Sequence, residues 1–273
     1  MGANEFKKFI HHLVLIILVI LFIFPVYYSF VISTINYKEV FNEVPKLLPG
    51  NQLFNNYYKS WFDVNMGKML ITSILFSTAT IVGKIILAIL TSFAISHFDF
   101  KGKNLVFFLT LITLMIPVPV RIISTYQLIA SFGWINTYKG LIIPLIASAT
   151  GTFMLRQTFK SVPRELAEAT MIDGGGPLTY LWRVLLPVSK TTISALFVIL
   201  FIWSWNQYLW PLIVVSNANL RVIQLGIESA IPKGELPRWN LIMPIVIIAM
   251  LPPLIVILSL QKSLVNGLIE TEK

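Results

Sequence analysis

Cysteine is absent from the chain, so disulfides, thiolate metal sites and thiol nucleophiles are excluded. Charge is nearly as scarce: 12% of residues are Asp, Glu, Lys or Arg, against roughly 25% in a soluble domain. Only three histidines occur, His11, His12 and His97. An adjacent pair plus one distant residue is poor metal-ligand spacing, and their positions at the ends of apolar runs suit an interfacial role. The sequence has no G-x-x-x-x-G-K-[ST] phosphate loop, which leaves it without that kind of nucleotide cradle. Its basic residues are scattered and not interleaved with aromatics, so nothing points to nucleic acid.

Apolar residues are what the chain has in excess. Hydrophobic side chains make up 56% of the 273 residues, and the mean hydropathy is +0.79. They come in long blocks, and about 20 apolar helical residues cross a hydrocarbon core of ~30 Å. Six such blocks are expected to span: 13–35, 69–96, 105–130, 141–155, 191–215 and 241–260. The fourth is short, and its helix is expected to continue past Arg156. This describes an all-α, polytopic membrane protein forming one transmembrane domain over 1–273. A β-barrel would show short alternating segments instead. The first block follows Lys7-Lys8 but is far longer than a signal h-region and has no small-residue cleavage site after it, so it reads as a span.

None of the six blocks contains Asp or Glu. A membrane-embedded enzyme would show clustered acids or histidines there. A secondary transporter would show ion-coupling carboxylates and internal repeats. Six spans place both termini on one side. The segments 1–12, 97–104, 156–190 and 261–273 hold 11 Lys/Arg, whereas 36–68, 131–140 and 216–240, of equal total length, hold eight. The excess favours cytoplasmic termini. The formal charge of +9 suits contact with anionic lipid headgroups.

One stretch interrupts the apolar pattern. Ser161–Lys190 reads SVPRELAEATMIDGGGPLTYLWRVLLPVSK and carries Arg164, Glu165, Glu168, Asp173 and Arg183. Ser161 can cap a helix with Pro163 in its first turn. Glu165 and Glu168, three apart, share one face near the positive end of that helix. Leu166, Ala169 and Thr170 form a second face suited to packing. Asp173-Gly174 ends the helix, because glycine accepts the left-handed conformation common at that position. Gly175-Gly176-Pro177 then turns the chain into a second short helix, Leu178–Leu186, ahead of Pro187. The result is a compact knob on the cytoplasmic side. An amphipathic connector lying on headgroups is the alternative, but its two acidic residues would then face anionic lipid. Docking to a protein partner fits better.

The same stretch resembles the EAA loop of ABC-importer membrane subunits. Glu168-Ala169-Thr170, three residues, Gly174, nine residues and Val184-Leu185-Leu186-Pro187 match the spacing of Glu-Ala-Ala, x3, Gly, x9, Ile-x-Leu-Pro. Thr170 and Val184 are small departures, and Gly175 stands where the sugar-importing branch usually has alanine. TLMIPVPVRI at 113–122, LIASATGTFMLRQTF at 145–159, SWNQYLWPL at 204–212 and the C-terminal LVNGLIETEK are similar to the second permease subunits of glycerol-3-phosphate importers. The resemblance implies a type I ABC importer permease with a cytoplasmic coupling-helix loop, in a bacterial cytoplasmic (inner) membrane. It implies a second homologous permease, two ATPase subunits that bind ATP and Mg, an extracytoplasmic solute-binding protein, and no cofactor on this chain. Glu165, Glu168, Ala169, Asp173 and Gly174 would meet the ATPase. The implied solute is sn-glycerol-3-phosphate, with a neutral sugar or oligosaccharide as the alternative.

Four residues stand out as candidates for the solute path. Lys84 lies mid-way along the second block and Arg121 in the outer part of the third. An intramembrane cation costs roughly 2.5–3.5 kcal/mol, so each should face protein or water. Guanidinium can bind two phosphate oxygens at once, and Pro117 and Pro119 just before Arg121 should break the helix and open it toward a cavity. The competing reading has Arg121 snorkelling to the outer interface and Lys84 pairing with the partner subunit. Asn206 and Gln207 in the fifth block are hydrogen-bonding groups for a path or for helix contacts. Trp203 and Trp205 read as packing, and Trp210 as an interfacial anchor.

Overall fold

The computed structural model describes residues 3–231 and 236–270, with side chains described there except at 3, 4, 6, 229 and 263–270. Lys233 and Lys273, two of the loop cations counted above, lie outside the described residues, as do all the side chains of LVNGLIETEK. The described chain is helical, with no strand. Its helices are α1 (Ala3–Ser33), α2 (Leu53–Phe62), α3 (Met66–His97), α4 (Lys103–Met115), α5 (Val118–Ser131), α6 (Tyr138–Ile142) and α7 (Ala149–Ser161). There follow α8 (Glu165–Ile172), α9 (Pro177–Tyr180), α10 (Leu186–Val188), α11 (Lys190–Trp205), α12 (Leu209–Val214), α13 (Ile223–Ser229) and α14 (Trp239–Glu270).

Among the described residues, three unbroken helical stretches are long and apolar enough to cross a membrane, Lys7–Ser33, Met66–His97 and Trp239–Lys262. Three bent pairs bring the number to six when each counts as one span. The first pair, α4 and α5, meets at 106°. Proline explains that break: a residue before proline is driven out of the α region, and Ile116, before Pro117, is extended (φ −81°, ψ 115°). The second pair runs from Tyr138 through the 3-10 turn Ile143–Leu145 and then α7, with a bend of 42°. The fourth span is therefore broken rather than merely short, although α7 does continue past Arg156 to Ser161. The third pair, Pro177–Val188 with α11, bends by 75°. The fifth span, expected as one run over 191–215, stops at Trp205 and resumes in α12. Pro211 cannot donate to the carbonyl of Gln207, so a continuous helix there would lose a bond.

The chain divides into two compact units, Met1–Leu70 with Ile223–Leu251 and Ile71–Val222 with Pro252–Lys273. In the first unit, every described residue of α1 from Lys7 to Tyr27 is exposed. In a membrane such an apolar helix can meet lipid without penalty. The helix α2, in a segment expected only as a loop, turns its polar side inward. Buried Asn56 donates to the carbonyls of Ser33 (3.0 Å) and Ile35 (2.8 Å), which the end of α1 leaves without helical partners. Asn240 donates to Asn56 Oδ1 (3.1 Å), and Ser60 donates to the carbonyl of Leu241 (2.8 Å).

The second unit is built around α3. Ser73, Ser77, Thr80 and Lys84, at steps of four, three and four, form one buried stripe, and small hydroxyl residues let membrane helices approach closely. Further along α3, Ser92 donates to the carbonyl of Thr152 at 2.8 Å. That bond ties α3 to α7. The effect is to fix the start of α7, and with it the wall of a cavity, against the helix that carries Lys84.

Candidate functional site

A cavity of about 570 Å³ opens in the second unit where three helix breaks converge. The α4–α5 break supplies Thr113, Pro117 and Arg121; the start of α7 supplies Ser148 and Thr150; and the α11–α12 break supplies Trp203, Gln207 and Trp210. Lys84 reaches it from α3. Its residue is 4% exposed, and its Nζ lies 3.4 Å from the centroid of the Trp203 ring. Among the described residues, Lys84 and Arg121 are the only charged ones in the lining, which contains no carboxylate and no imidazole.

Helix termini add to this positive character. Ser148 caps α7, its hydroxyl accepting from Gly151 N at 3.1 Å, and the first-turn residues Ala149 and Thr150 line the cavity. Pro117 and Val118, at the start of α5, line it too. A helix N-terminus carries roughly half a positive charge, so two such ends and two cations share one space. That arrangement can hold an anion. Hydroxyls and the Gln207 amide add hydrogen-bonding groups for a polar solute.

Of the four path candidates, Lys84, Arg121 and Gln207 come together here, whereas Asn206 is an exposed residue at the end of α11 outside the lining. Trp203 partners Lys84 and does not simply pack. Trp205 does pack, buried and stacked on Phe201 with ring centroids 5.7 Å apart. Trp210, expected at the interface, is buried, and its indole donates to the carbonyl of Leu141 at 3.1 Å. A tryptophan with its N–H satisfied inside the protein has no need of the headgroup region. Sequence reasoning missed Ser148 and the start of α7. A serine three residues before a glycine in an apolar run was its only signal.

The polar stretch forms a knob, with two changes at its start. Ser161 is the last residue of α7 and donates back to the carbonyl of Thr158 (2.8 Å). It does not cap α8, because Pro163 drives Val162 extended (φ −74°, ψ 128°) and Arg164 takes the cap position. Leu166 and Ala169, expected to pack, are exposed, and Thr170 is half-buried. Glu165 and Glu168 lie in the first turn of α8 and are exposed. The far end is as expected: Gly174 has φ +78°, Gly174 N donates to Met171 O (3.0 Å) and Gly175 N donates to Thr170 O (2.8 Å). This pair of bonds is the Schellman closure.

The second helical piece runs past Pro187 to Val188, through the π turn Leu181–Leu185. In that turn the Leu186 N–H donates to the carbonyl of Leu181, five residues back. Behind the knob a second cavity, about 630 Å³, is lined by His97, Lys103, Arg164, Glu168 and Tyr180. Asp99 also borders it, and the ammonium of Lys103, which donates to Asp99, holds that carboxyl below its usual range.

Residues 84–269 match the family described as the binding-protein-dependent transport system inner membrane component. The chain belongs to this family. The match starts at Lys84 and covers the rest of the cavity and the whole knob. The sn-glycerol-3-phosphate transport system permease protein UgpE of Pectobacterium atrosepticum is 43% identical over 96% of both chains. UgpE of Brucella melitensis biotype 1 is 43% identical over 98% of both. A solved bacterial ABC transporter involved in the import of alginate has the same fold, with a TM-score of 0.84 at 19% identity, covering 96% of this chain and 98% of that one. As an inner membrane component of a binding-protein-dependent transport system, the chain is a multi-pass transport subunit.

Proposed function

We propose that the chain forms half of the translocation path for sn-glycerol-3-phosphate in an ATP-driven importer and couples that path to ATPase subunits. The observation that carries the reading is the cavity in which Lys84 and Arg121 meet two helix N-termini with no carboxylate in the lining. A phosphate monoester brings close to two negative charges, and a site for it wants cations and N–H donors. Relatives of matched length named for transport of this solute support the same reading. In it, a second homologous permease completes the path, an extracytoplasmic binding protein delivers the solute, and two ATPases binding ATP and Mg sit beneath. Both termini are cytoplasmic, and the chain itself performs no catalysis.

The knob is the coupling element in this reading. Glu165 and Glu168 face polar or basic groups of the ATPase, Ala169 permits close approach, and Asp173-Gly174 sets the bend. ATP-driven closure of the ATPases then moves the membrane halves between inward- and outward-facing states.

Uptake of labelled sn-glycerol-3-phosphate by cells carrying the complete system tests the reading. Arg121→Ala is expected to reduce maximal uptake by roughly ten- to a hundredfold, since a hydrogen bond to a charged group is worth about 1.5–3 kcal/mol. Uptake should fall on ATP depletion and not with a protonophore alone; the reverse would indicate a secondary transporter. Maltose accumulation that survives Arg121→Ala, without phosphate-ester uptake, would assign the chain to a neutral sugar.

A further inference from the structure

Lys84 has an unusual partner for a buried cation. It is 4% exposed and sits in a membrane-spanning helix, where charged groups normally pair with an opposite charge or with backbone carbonyls. No ion pair to Lys84 is present among the described residues. Its ammonium lies instead 3.4 Å from the centroid of Trp203, well within cation–π range, and indole is the strongest aromatic partner for a cation.

The choice of partner has an electrostatic consequence. A carboxylate at the position of Trp203 would also hold Lys84, but it would cancel the charge that an arriving anion needs. The face of an indole ring attracts the ammonium through its quadrupole and carries no net charge. The partner of Lys84 therefore adds no negative charge to the cavity. Trp203 also stands on α11 three residues before the helix break that supplies Gln207, so the ring aims the ammonium into the space that Arg121 borders. Arg121 has no ion pair among the described residues either.

We infer that Trp203 is a positioning residue that holds Lys84 as an unneutralised cation in the cavity and so makes the path selective for anionic solutes. The inference rests on the proposed role of the cavity as the solute path. It assigns Trp203 no direct contact with the solute: Trp203 acts through Lys84.

A double-mutant cycle in the reconstituted complex, with its partner permease, ATPases and binding protein, tests this. The readout is the maximal rate of sn-glycerol-3-phosphate uptake into proteoliposomes, normalised to assembled complex recovered in detergent. Trp203→Leu is expected to lower the rate roughly ten- to thirtyfold, the size of a desolvated cation–π contact expressed as a rate ratio. Trp203→Phe, which keeps a ring, should restore most of it. In a Lys84→Met background the Trp203→Leu change should cost less than about twofold, because its target is gone. Trp203→Glu should assemble and yet fall below Trp203→Leu, since it supplies the neutralising charge.

Additive losses in the cycle, with Lys84→Met itself defective, would overturn the positioning role while leaving the path intact. Wild-type uptake in Lys84→Met would instead overturn the path reading on which the inference depends. A Trp203→Glu complex transporting as well as the wild type would refute the selectivity argument directly.

Discussion

At the scale of single residues, the second unit relies on side chains that satisfy backbone groups where helices are broken. Asn136 is the clearest case. It adopts φ 57°, a conformation asparagine tolerates better than most residues. Its Oδ1 accepts from Ser216 N (2.7 Å), Asn217 N (2.9 Å) and the Ser216 hydroxyl (3.1 Å), while its own N–H donates to the carbonyl of Val214 (3.1 Å). One amide thus ties the turn before α6 to the segment after α12. Asn136→Ala is expected to lose these acceptor bonds and suffer left-handed strain, at a total of about 2–3 kcal/mol. Thermal unfolding in detergent should show a drop of several degrees. Asn136→Asp keeps the acceptor and should recover most of the loss. Equal destabilisation by both would mean that the amide N–H, which reaches the Ser216 hydroxyl at 2.8 Å, carries the tie.

At the scale of elements, the breaks decide where chemistry sits. A continuous helix shows only side chains to its surroundings, whereas a broken one adds a positive N-terminus. Some of these breaks were legible in the sequence. Pro117 and Pro119 announced the α4–α5 bend, and Asp173-Gly174 announced the end of α8, because both depend on local backbone rules. The pause at Ile146–Ser148 and the inward polar face of α2 were not legible, because they are fixed by distant partners such as Ser92 on α3 and Asn240 on α14. The pairing of Lys84 with Trp203 joins residues 119 positions apart, which spacing alone cannot reveal. The knob was legible in outline and wrong in detail at its entry, where the effect of Pro163 on Val162 outweighed the capping tendency of Ser161.

The exposed face of α8 carries its own expectation. Glu165 and Glu168 have no ion pair among the described residues, and Met171 and Ile172 are exposed beside them. A short helix that leaves acids and large apolar groups both uncovered fits a partner surface better than a lipid one. Glu168→Lys should leave the chain inserted and assembled while abolishing ATP turnover stimulated by the loaded binding protein, because the new charge would face basic or polar groups. Wild-type turnover in the mutant complex would refute a coupling role for Glu168.

At the scale of the whole molecule, the coupling and path proposals share one premise, that the knob lies in the cytoplasm. The 11-to-eight bias of Lys and Arg supports this orientation. The lack of cysteine turns into an experimental advantage here, since any introduced thiol is the only one in the chain. Ile172 on the knob is 86% exposed and Phe54 on α2 is 87% exposed, so a thiol at either site is open to reagent. A membrane-impermeant maleimide applied to spheroplasts, with the outer membrane removed, should label Phe54→Cys at once and Ile172→Cys only after permeabilisation. Neither change removes a buried group, so both should insert normally. The opposite labelling order would put the knob on the face where the binding protein delivers solute, and coupling through α8 to a cytoplasmic ATPase would then be geometrically impossible.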